Sequence, residues 1–498
     1  MAGMKPDPEM IVGMALIGLG LAAALYGLMP RGAGAIRRRA TRLQVRTLDD
    51  ARIRPLHVTL LAVMAIAITI DVMKPTTLSF VAPGMAKEYG LKSAVNPHGG
   101  LPVSLLPLLG IGGTVLGSLI WGWLGDRIGR RSSVLFACLL FVTTSICGAM
   151  PAFSWNLLMC FLMGIGAGGM LPIAFALMAE TIPARHRGWL MVLIGGDVAG
   201  AYVITSWLAG ALIPHYSWRI MWLIGLPTGL LLIVLNRWIP ESPRYLIATG
   251  DRAAAQDIMR RFGAEIAPPG PEQAAVAGDY GLGSFRDLFR RGYRGQSAAI
   301  TILAVGIGLV TYGFQLWIPT NLEHLGFSAV NSDYVVRNAA LIGLPLTFAT
   351  AWLYGFWSSK KTIILLAGIT VVTLAWFAVA GNSVAHNHAL LTALLVVPIA
   401  GISSATAVVC TYACETYPTH IRSRGTGFAA GMTKAGGVLI LLLVVAATTT
   451  PSIAATALAG ALPLLAGMAI LGWAGRETHG RPLEDIDPAE LLEPATPS

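Results

Sequence analysis

Four ionisable residues lie near the middle of long apolar segments of this chain: Asp71, Lys74, Asp197 and Lys434. A charge at the centre of a bilayer costs about 2.5–3.5 kcal/mol even on lenient insertion scales, so it is tolerated where it lines a polar cavity or pairs with an opposite charge. Two acids and two bases allow two structural ion pairs, and Asp71 and Lys74 share one helix face. We favour the other reading, in which these residues line a binding cavity near the membrane midplane.

Asp71 is the residue that we expect to take up and release a proton. Burial disfavours a charged carboxylate and a nearby lysine favours it, so a lysine that moves between conformations would change the proton affinity of the site. Lys434 and Lys74 would attract a carboxylate or another anion into the same cavity. Asp197 would bind an amine or hydroxyl of the solute, or hold Lys434 when the cavity is empty, and the sequence does not separate these alternatives.

Further polar side chains occur in the apolar segment 297–322, which contains Tyr312 and Gln315. Both suit a hydroxylated or aromatic ligand, although aromatic residues near the end of a membrane helix are also typical interface anchors. Pro319 in this segment and Pro83 are 236 positions apart, and each would loosen a helix near its outer end. We therefore expect Tyr312 and Gln315 to contact the solute.

An eight-residue pattern occurs twice, as Glu180–Arg187 and Glu415–Arg422, 235 positions apart. Each copy closes a long apolar segment and opens a short basic turn. Repetition of a charged helix-end pattern inside a very hydrophobic chain indicates two similar halves embedded in a bilayer. Such halves usually carry small solutes by rocking against each other.

The composition places the chain in a membrane. Hydrophobic residues make up 55% and charged residues 12% of the 498 residues, whereas a soluble protein has roughly a quarter of its residues charged. The net charge of +10 would suit nucleic acid, but the basic residues lie in short loops between apolar runs, as orientation signals do. We expect no nucleic-acid partner. The five cysteines lie within apolar segments without a completing His or acidic ligand, so we expect no metal and no cofactor.

Apolar runs close to the roughly 20 residues that cross a bilayer recur thirteen times. Their predicted limits are 10–29, 57–83, 102–124, 132–151, 155–180, 188–213, 218–239, 297–322, 338–357, 361–381, 389–415, 424–448 and 452–474. Thirteen is an odd number, so the two termini are predicted on opposite sides of a cell membrane.

The distribution of basic residues predicts which side is cytoplasmic. If the stretch 30–56 is cytoplasmic, the same side receives 28 of the 35 lysines and arginines and the opposite side receives five. The N-terminus is then outside and the C-terminus cytoplasmic. The stretch 1–9 carries one lysine against two acids, and its basic cluster follows the apolar run, so we expect an uncleaved helix and not a signal peptide.

Twelve of the predicted helices divide into six and six about a long polar stretch. The predicted units are 1–56 (an extra transmembrane helix and a basic cytoplasmic linker), 57–239 and 297–474 (two six-helix bundles), 240–296 (a cytoplasmic linker) and 475–498 (a cytoplasmic tail). Within the linker, Arg252–Phe262 and Phe285–Arg291 are predicted as short amphipathic helices along the cytoplasmic face.

The loop between the second and third helices of the first bundle reads Gly122-Trp-Leu-Gly125-Asp126-Arg127-Ile-Gly129-Arg130-Arg131. The chain here resembles the major facilitator superfamily, in which G-x-L-x-D-R-x-G-R-R marks this loop. Pro240–Leu246 resembles the P-E-S-P-R signature of the sugar-porter and organic-ion branches, and Glu477–Glu484 resembles their E-T-x-G-R-x-L-E. The two eight-residue repeats fit the E-x6-R pattern of the same branches.

This resemblance implies an all-α membrane protein with the major facilitator fold: two six-helix bundles with pseudo-two-fold symmetry, here with one extra N-terminal helix. It also implies that cytoplasmic charges form a latch that holds the outward-facing state. Carried over by position, the latch comprises Gly122, Asp126, Arg127, Gly129, Arg130, Arg131, Glu180, Arg187, Glu241 and Arg244 in the first half, and Glu415, Arg422, Glu477 and Arg481 in the second. The second-half counterpart of the loop, 354–361, lacks the Asp and Arg, so a weaker latch is expected there.

The resemblance is nearest to metabolite–proton symporters and proteins like the synaptic-vesicle protein, a group that includes carriers of aromatic acids. A basic residue in the eleventh core helix, as at Lys434, is similar to the arrangement in organic-anion carriers. We therefore expect a monomeric secondary transporter that moves a small organic anion with protons. The alternative is a sugar or polyol transporter, although the paired glutamines and G-I-N run of sugar porters are missing from core helix seven. An enzyme is not expected, because intramembrane hydrolases need a catalytic dyad or metal set within their helices, and here no H-E-x-x-H motif occurs and none of the nine histidines lies deep in a predicted segment.

Overall fold

The computed structural model is nearly all-helical. It describes residues 8–28, 48–92, 96, 98–196, 198–265, 284–290, 292–315, 329–380, 388–418, 421–447 and 453–480. Ten helical stretches within these residues are long and apolar enough to cross a membrane by length and composition. Helices occupy all thirteen of the predicted segments, while the number of crossings stays a prediction.

One extra helix, α1 (Pro8–Leu28), precedes the first half. The α-helices of the first half are α2 (Pro55–Glu88), α3 (Leu105–Ile128), α4 (Arg130–Thr144), α5 (Phe153–Thr181), α6 (Ala184–Gly195), α7 (Val198–Tyr216), α8 (Ile220–Leu223) and α9 (Gly225–Leu235). Short 3-10 turns extend α4 through Ala149 and α9 through Trp238. Together α6 and α7 form the fifth core span, and α8 and α9 form the sixth.

Two short helices follow in the linker, and each has a clear start and stop. They are α10 (Pro243–Thr249) and α11 (Arg252–Phe262), and α11 has the predicted ends. Asp251 accepts a hydrogen bond from the Ala254 amide at 3.0 Å, and Gly263 ends the helix at a φ of 86°, a left-handed conformation that suits glycine. The predicted Phe285–Arg291 helix is a 3-10 turn over Phe285–Phe289.

The second half repeats the arrangement of the first. Its α-helices are α12 (Arg294–Leu309), α13 (Ala329–Phe356), α14 (Ser359–Ala380), α15 (His388–Val396), α16 (Ile402–Thr416), α17 (Arg422–Ala447) and α18 (Ile453–Ala474). A π-helical turn, Val310–Phe314, extends α12, and another, Val397–Gly401, joins α15 to α16. Such π turns interrupt regular helices and occur often at functional sites.

Each half has its own buried apolar core, as expected for two bundles. Few residues cross over: Cys410, Cys414 and Ala430 of the second half pack into the first core, and Val192 packs into the second. Large apolar side chains on the outer faces are exposed, with Trp473 at 89%, as expected for surfaces that face lipid chains.

The halves meet mainly where α3 packs against α17 and where α6 packs against α13 and α16. Contact between α3 and α17 is close because small residues face each other. A Cβ atom at Gly122 would lie 2.7 Å from the carbonyl oxygen of Ser423, and one at Gly427 would lie 2.4 Å from that of Ser118. Glycine lets two helix backbones approach in this way. These contacts position the charged residues described next.

Candidate functional site

The charges of Asp71 and Lys434 interact across the interface between the halves. Asp71 on α2 is 5% exposed, and its charge interacts electrostatically with that of Lys434 on α17. The Lys434 ammonium donates a hydrogen bond to the Ser118 hydroxyl of α3 at 3.3 Å. Within the described residues, Asp71 Oδ1 is buried without a hydrogen-bond partner. A carboxylate of one half therefore shares a low-dielectric site with an ammonium of the other.

Lys74 lies elsewhere. Its ammonium is inside the first bundle, 5.7 Å from the centroid of the Phe141 ring, and it approaches the backbone of Gly225 and the hydroxyl of Ser145. The predicted role of Lys74 in binding solute stays a prediction, and this position does not favour it. Asp197, the other predicted cavity acid, lies outside the described residues.

Tyr312 and Gln315 lie at the π-helical turn that extends α12. The Tyr312 ring packs against Gly437 of α17, where a Cβ atom would lie 2.2 Å from the ring. The same ring contacts the small apolar cluster of Leu108, Ile111 and Leu441, which joins the two halves. Gln315 Oε1 is buried and has no hydrogen-bond partner among the described residues, so it has an acceptor to offer. Pro319 lies outside the described residues.

At the end of the first half that is predicted to be cytoplasmic, Glu241 binds the start of α4. Its carboxylate accepts hydrogen bonds from the backbone N–H groups of Arg130 at 2.7 Å and Arg131 at 3.3 Å. Gly129, which precedes the helix, has a φ of 92° and lies against this carboxylate, so a side chain there would be strained and would collide with it. Burial raises the pKa of Glu241, and the backbone donors offset part of that rise. Glu241 thus caps α4 and satisfies amides that a helix start leaves unpaired.

A buried ionic cluster lies beside this cap. Arg130 contacts Glu180 at 2.9 Å and Asp126 at 3.4 Å, all within the first half. Two arginines of the second half reach the same acids: Arg422 is 3.6 Å from Glu180, and Arg424 is 3.3 Å from Asp126. All five side chains are almost fully buried, so the ion pairs join the halves in a dry environment.

The reciprocal contact is also present. Arg187 of the first half lies 3.7 Å from Glu415 of the second, while Arg422 of the second lies 3.6 Å from Glu180 of the first. The two copies of the repeated motif therefore exchange partners across the pseudo-two-fold axis. Each arginine contacts the glutamate of the opposite copy, and both pairs must separate before the halves part at this end.

Hydroxyl groups take the place of the missing Asp and Arg in the second half. Glu415 accepts hydrogen bonds from Tyr354 at 2.8 Å and from the Thr478 hydroxyl at 2.7 Å. Glu477 caps α14 as Glu241 caps α4, and it accepts hydrogen bonds from the Ser358 hydroxyl and from the amide and hydroxyl of Ser359. Burial raises the pKa of Glu477, but these donors outweigh it and leave the pKa lowered. The weaker second-half latch stays a prediction.

The other predicted latch residues are more peripheral. The Arg127 guanidinium lies 4.1 Å from the centroid of the Trp123 ring, and its backbone oxygen accepts a hydrogen bond from Tyr245. Arg131 contributes its backbone amide to the Glu241 cap. Arg481 lies outside the described residues.

The sequence analysis missed three residues: Asp49 and Arg424 of the ionic cluster, and Ser118, which accepts the hydrogen bond from Lys434. Asp49 precedes α2, and it contacts Arg187 at 2.9 Å and Arg244 at 3.6 Å. Arg424 was visible only as one basic residue of a turn. Ser118 is one of several hydroxyl residues in apolar helices, and no pattern distinguishes it.

Known proteins share this architecture. The family model described as Major Facilitator Superfamily matches residues 58–441. The niacin transporter NiaP of Acinetobacter baylyi is 28% identical over 89% of this chain and 99% of its own. The inner membrane metabolite transport protein YgcS of Escherichia coli is 30% identical over 74% of this chain and 82% of its own. The 4-hydroxybenzoate transporter PcaK of Pseudomonas putida is 26% identical over 74% of this chain and 81% of its own.

Among solved structures, the proton:xylose symporter XylE bound to 6-bromo-6-deoxy-D-glucose superposes with a TM-score of 0.71 at 18% identity. The match covers 88% of this chain and 99% of that one. Likeness at this identity concerns the fold. The chain belongs to the major facilitator superfamily, a family of membrane transporters.

Proposed function

We propose that this transporter is a symporter that moves a small organic carboxylate together with protons. The observation that carries the proposal is the electrostatic interaction between Lys434 and Asp71, with each residue on a different half. An ammonium at the interface would bind the carboxylate of a solute. A carboxylate facing that ammonium would bind the proton.

The coupling follows from competition for one cation. In the empty site, the Lys434 charge stabilises the Asp71 carboxylate. A bound solute carboxylate draws the ammonium toward itself, and a buried carboxylate that loses its cation is stabilised by protonation. Solute and proton then enter together. If α17 then moves away from α2, Asp71 stays protonated and Lys434 stays paired with the solute. Both residues regain their original state only when the solute and the proton have been released.

Alternating access would use the cytoplasmic ion pairs as its gate. Arg187–Glu415, Arg422–Glu180 and Arg424–Asp126 join the halves at that end, so in this proposal the conformation is closed on its cytoplasmic side. Opening requires all three pairs to separate, and the acids retain partners within their own halves: Glu180 and Asp126 keep Arg130, and Glu415 keeps Tyr354. Because no carboxylate is left without a partner, the gate can open without a large cost.

The names of two relatives suggest the chemical class of the solute. One is a niacin transporter and another a 4-hydroxybenzoate transporter, and both names denote aromatic acids that are anionic at neutral pH. An aromatic acid would use Lys434 for its carboxylate, the Tyr312 ring for stacking, and the unpaired acceptor of Gln315 for a ring hydroxyl or N–H. This deduction supports an aromatic carboxylate over an aliphatic one.

A sugar or polyol transporter is the second candidate, supported by the hydrogen-bonding capacity of Gln315. The test is uptake of labelled nicotinate, 4-hydroxybenzoate and a hexose by proteoliposomes, with and without an inward proton gradient. We expect the gradient to drive accumulation of an aromatic acid and not of the hexose. Accumulation of hexose alone would establish the second candidate and overturn the first.

For the topology, we propose a cell-membrane protein with its N-terminus outside and its C-terminus in the cytoplasm, working as a monomer. The basis for the orientation is the distribution of arginines and lysines given above.

A further inference from the structure

The chain segment just before α2 docks into the cytoplasmic gate. Leu48 is 2% exposed and packs into the core of the first half, and Asp49 is 5% exposed. The backbone oxygen of Asp49 accepts a hydrogen bond at 3.0 Å from the amide of Ala184, the first residue of α6. This segment follows α1 and its basic linker, so the extra helix is tethered to the gate through it.

The Asp49 carboxylate lies between two buried arginines of the gate. Its Oδ1 atom is 2.9 Å from Arg187 and its Oδ2 atom is 3.6 Å from Arg244. Both guanidinium groups are 5% exposed or less. Arg187 also contacts Glu415 of the other half, so Asp49 lies directly behind one of the ion pairs that join the halves.

Charge balance explains why a carboxylate is needed there. Asp49 contacts both Arg187 and Arg244, while Glu415 supplies a negative charge to Arg187 from the opposite half and the charge of Glu180 acts on Arg244. Loss of Asp49 would remove one negative charge from this dry cluster, and an uncompensated buried charge is strongly destabilising. When the gate opens to the cytoplasm, water screens the same charges, so the need for Asp49 falls.

We propose that Asp49 is a positioning residue of the transport cycle. It neutralises Arg187 and Arg244 so that both can be buried when the cytoplasmic gate closes, and the linker from the extra helix thereby helps to set the balance between the closed and open states. This inference rests on the cytoplasmic gate proposed above, but it is independent of the solute and of proton coupling.

A native cysteine reports on the state of the gate. Cys414 is buried, and its sulfur lies 3.5 Å from the backbone oxygen of Phe175 in the other half. Opening the cytoplasmic side would expose it. The experiment uses the full chain with the other cysteines replaced by alanine, and measures the rate at which a membrane-impermeant maleimide labels Cys414 in inside-out vesicles.

The test compares the unmodified gate with Asp49→Asn, Arg244→Gln, the double variant of these two, and Glu415→Gln. Asp50→Asn is the matched control, because Asp50 is the exposed neighbour of Asp49. We expect Asp49→Asn and Arg244→Gln each to raise the labelling rate about tenfold, since each removes one charge from a contacting set of buried charges and leaves that set unbalanced. We expect the control to have no effect and the double variant, in which charge is balanced again, to label more slowly than either single variant.

The outcomes separate this inference from the gate itself. If Glu415→Gln speeds labelling but Asp49→Asn labels no faster than Asp50→Asn, the role of Asp49 is refuted and the gate stands. If Glu415→Gln also leaves labelling unchanged, the gate is refuted. If Asp49→Asn does not fold, Arg244→Gln and the double variant decide, because a double variant that labels as fast as Arg244→Gln contradicts charge compensation.

Discussion

Replacement of Lys434 by glutamine tests the proposed anion site most specifically. Glutamine keeps a hydrogen-bond donor on the same side of α17 as the Ser118 hydroxyl but removes the charge that interacts with Asp71. A hydrogen bond to a charged group contributes about 1.5–3 kcal/mol, and about 1.4 kcal/mol corresponds to a tenfold change in affinity. Lys434→Gln should therefore weaken binding of a carboxylate about 10- to 150-fold, and should leave a neutral analogue nearly unchanged.

Nicotinate and nicotinamide form the matched ligand pair, because they share a ring and differ in charge. Affinities for both are measured by calorimetry or thermal shift with purified wild type and variant at neutral pH. The control variant is Lys74→Gln. Lys74 is also a lysine of a membrane helix, but its ammonium lies inside the first bundle near Phe141 and Ser145. We expect this control to lower the unfolding temperature and to leave the ratio of the two affinities unchanged.

The reasoning fails if Lys434→Gln weakens binding of nicotinate and nicotinamide by the same factor. Lys434 would then be a structural lysine. It also fails if Lys74→Gln changes the ratio as much as Lys434→Gln does, because the cation that selects the anion would not be at the interface between the halves.

Other predictions concern the gate, the helix caps and the topology. Arg422→Gln should speed maleimide labelling of Cys414 from the cytoplasmic side, and unchanged labelling would show that its pair with Glu180 does not hold the gate. The pKa of Glu477 is lowered in the folded protein, so its carboxylate contributes stability above the unfolded pKa of about 4.3. That stability is lost as the pH falls through the folded pKa. Glu477→Gln should therefore lower the unfolding temperature most near pH 7 and progressively less in acid. The pKa of Glu241 is raised, so the loss of stability caused by Glu241→Gln should decrease as the pH rises. Thermal unfolding measured across a range of pH tests both variants, and parallel pH profiles for the two would contradict the opposite pKa shifts of Glu477 and Glu241. A tag placed before Met10 should be accessible to antibody on intact cells, and protection of the tag would contradict thirteen crossings.

Helices were predictable from the sequence because the bilayer fixes their length and polarity. The predicted segment 452–474 is the helix Ile453–Ala474, and the predicted 361–381 is Ser359–Ala380. In the linker, Arg252–Phe262 was predictable from its amphipathic pattern and from the flanking Asp251 and Gly263. The π-helical turns were not predictable, since their local sequences are as apolar as those of regular helices.

Contacts between the halves were less accessible to sequence reasoning. The family resemblance implied that Glu180, Arg187, Glu415 and Arg422 belong to one latch. It did not imply that each arginine contacts the glutamate of the other copy, because that pairing depends on how the halves dock. Asp49 was hidden because it lies in a polar linker with many arginines and belongs to no repeat.

Lys74 shows how much the spacing along a helix leaves open. It follows Asp71 by three residues, and the shared face allows an ion pair between the two side chains. A lysine side chain is long and flexible, so its ammonium can lie well away from its Cα atom. Here Gly225 has no side chain, and the space it leaves admits the Lys74 ammonium into the interior of the first bundle.

The central claim is that one carboxylate, Asp71, binds the proton that accompanies the solute. Its most direct test is proton movement driven by a solute gradient alone. Proteoliposomes with an entrapped pH dye, equal pH on both sides and a clamped membrane potential receive external nicotinate, with protein-free liposomes correcting for diffusion of the free acid. We expect acidification of the lumen with wild type and none with Asp71→Asn, which should still exchange labelled for unlabelled nicotinate. Acidification by Asp71→Asn equal to that by wild type would contradict the account.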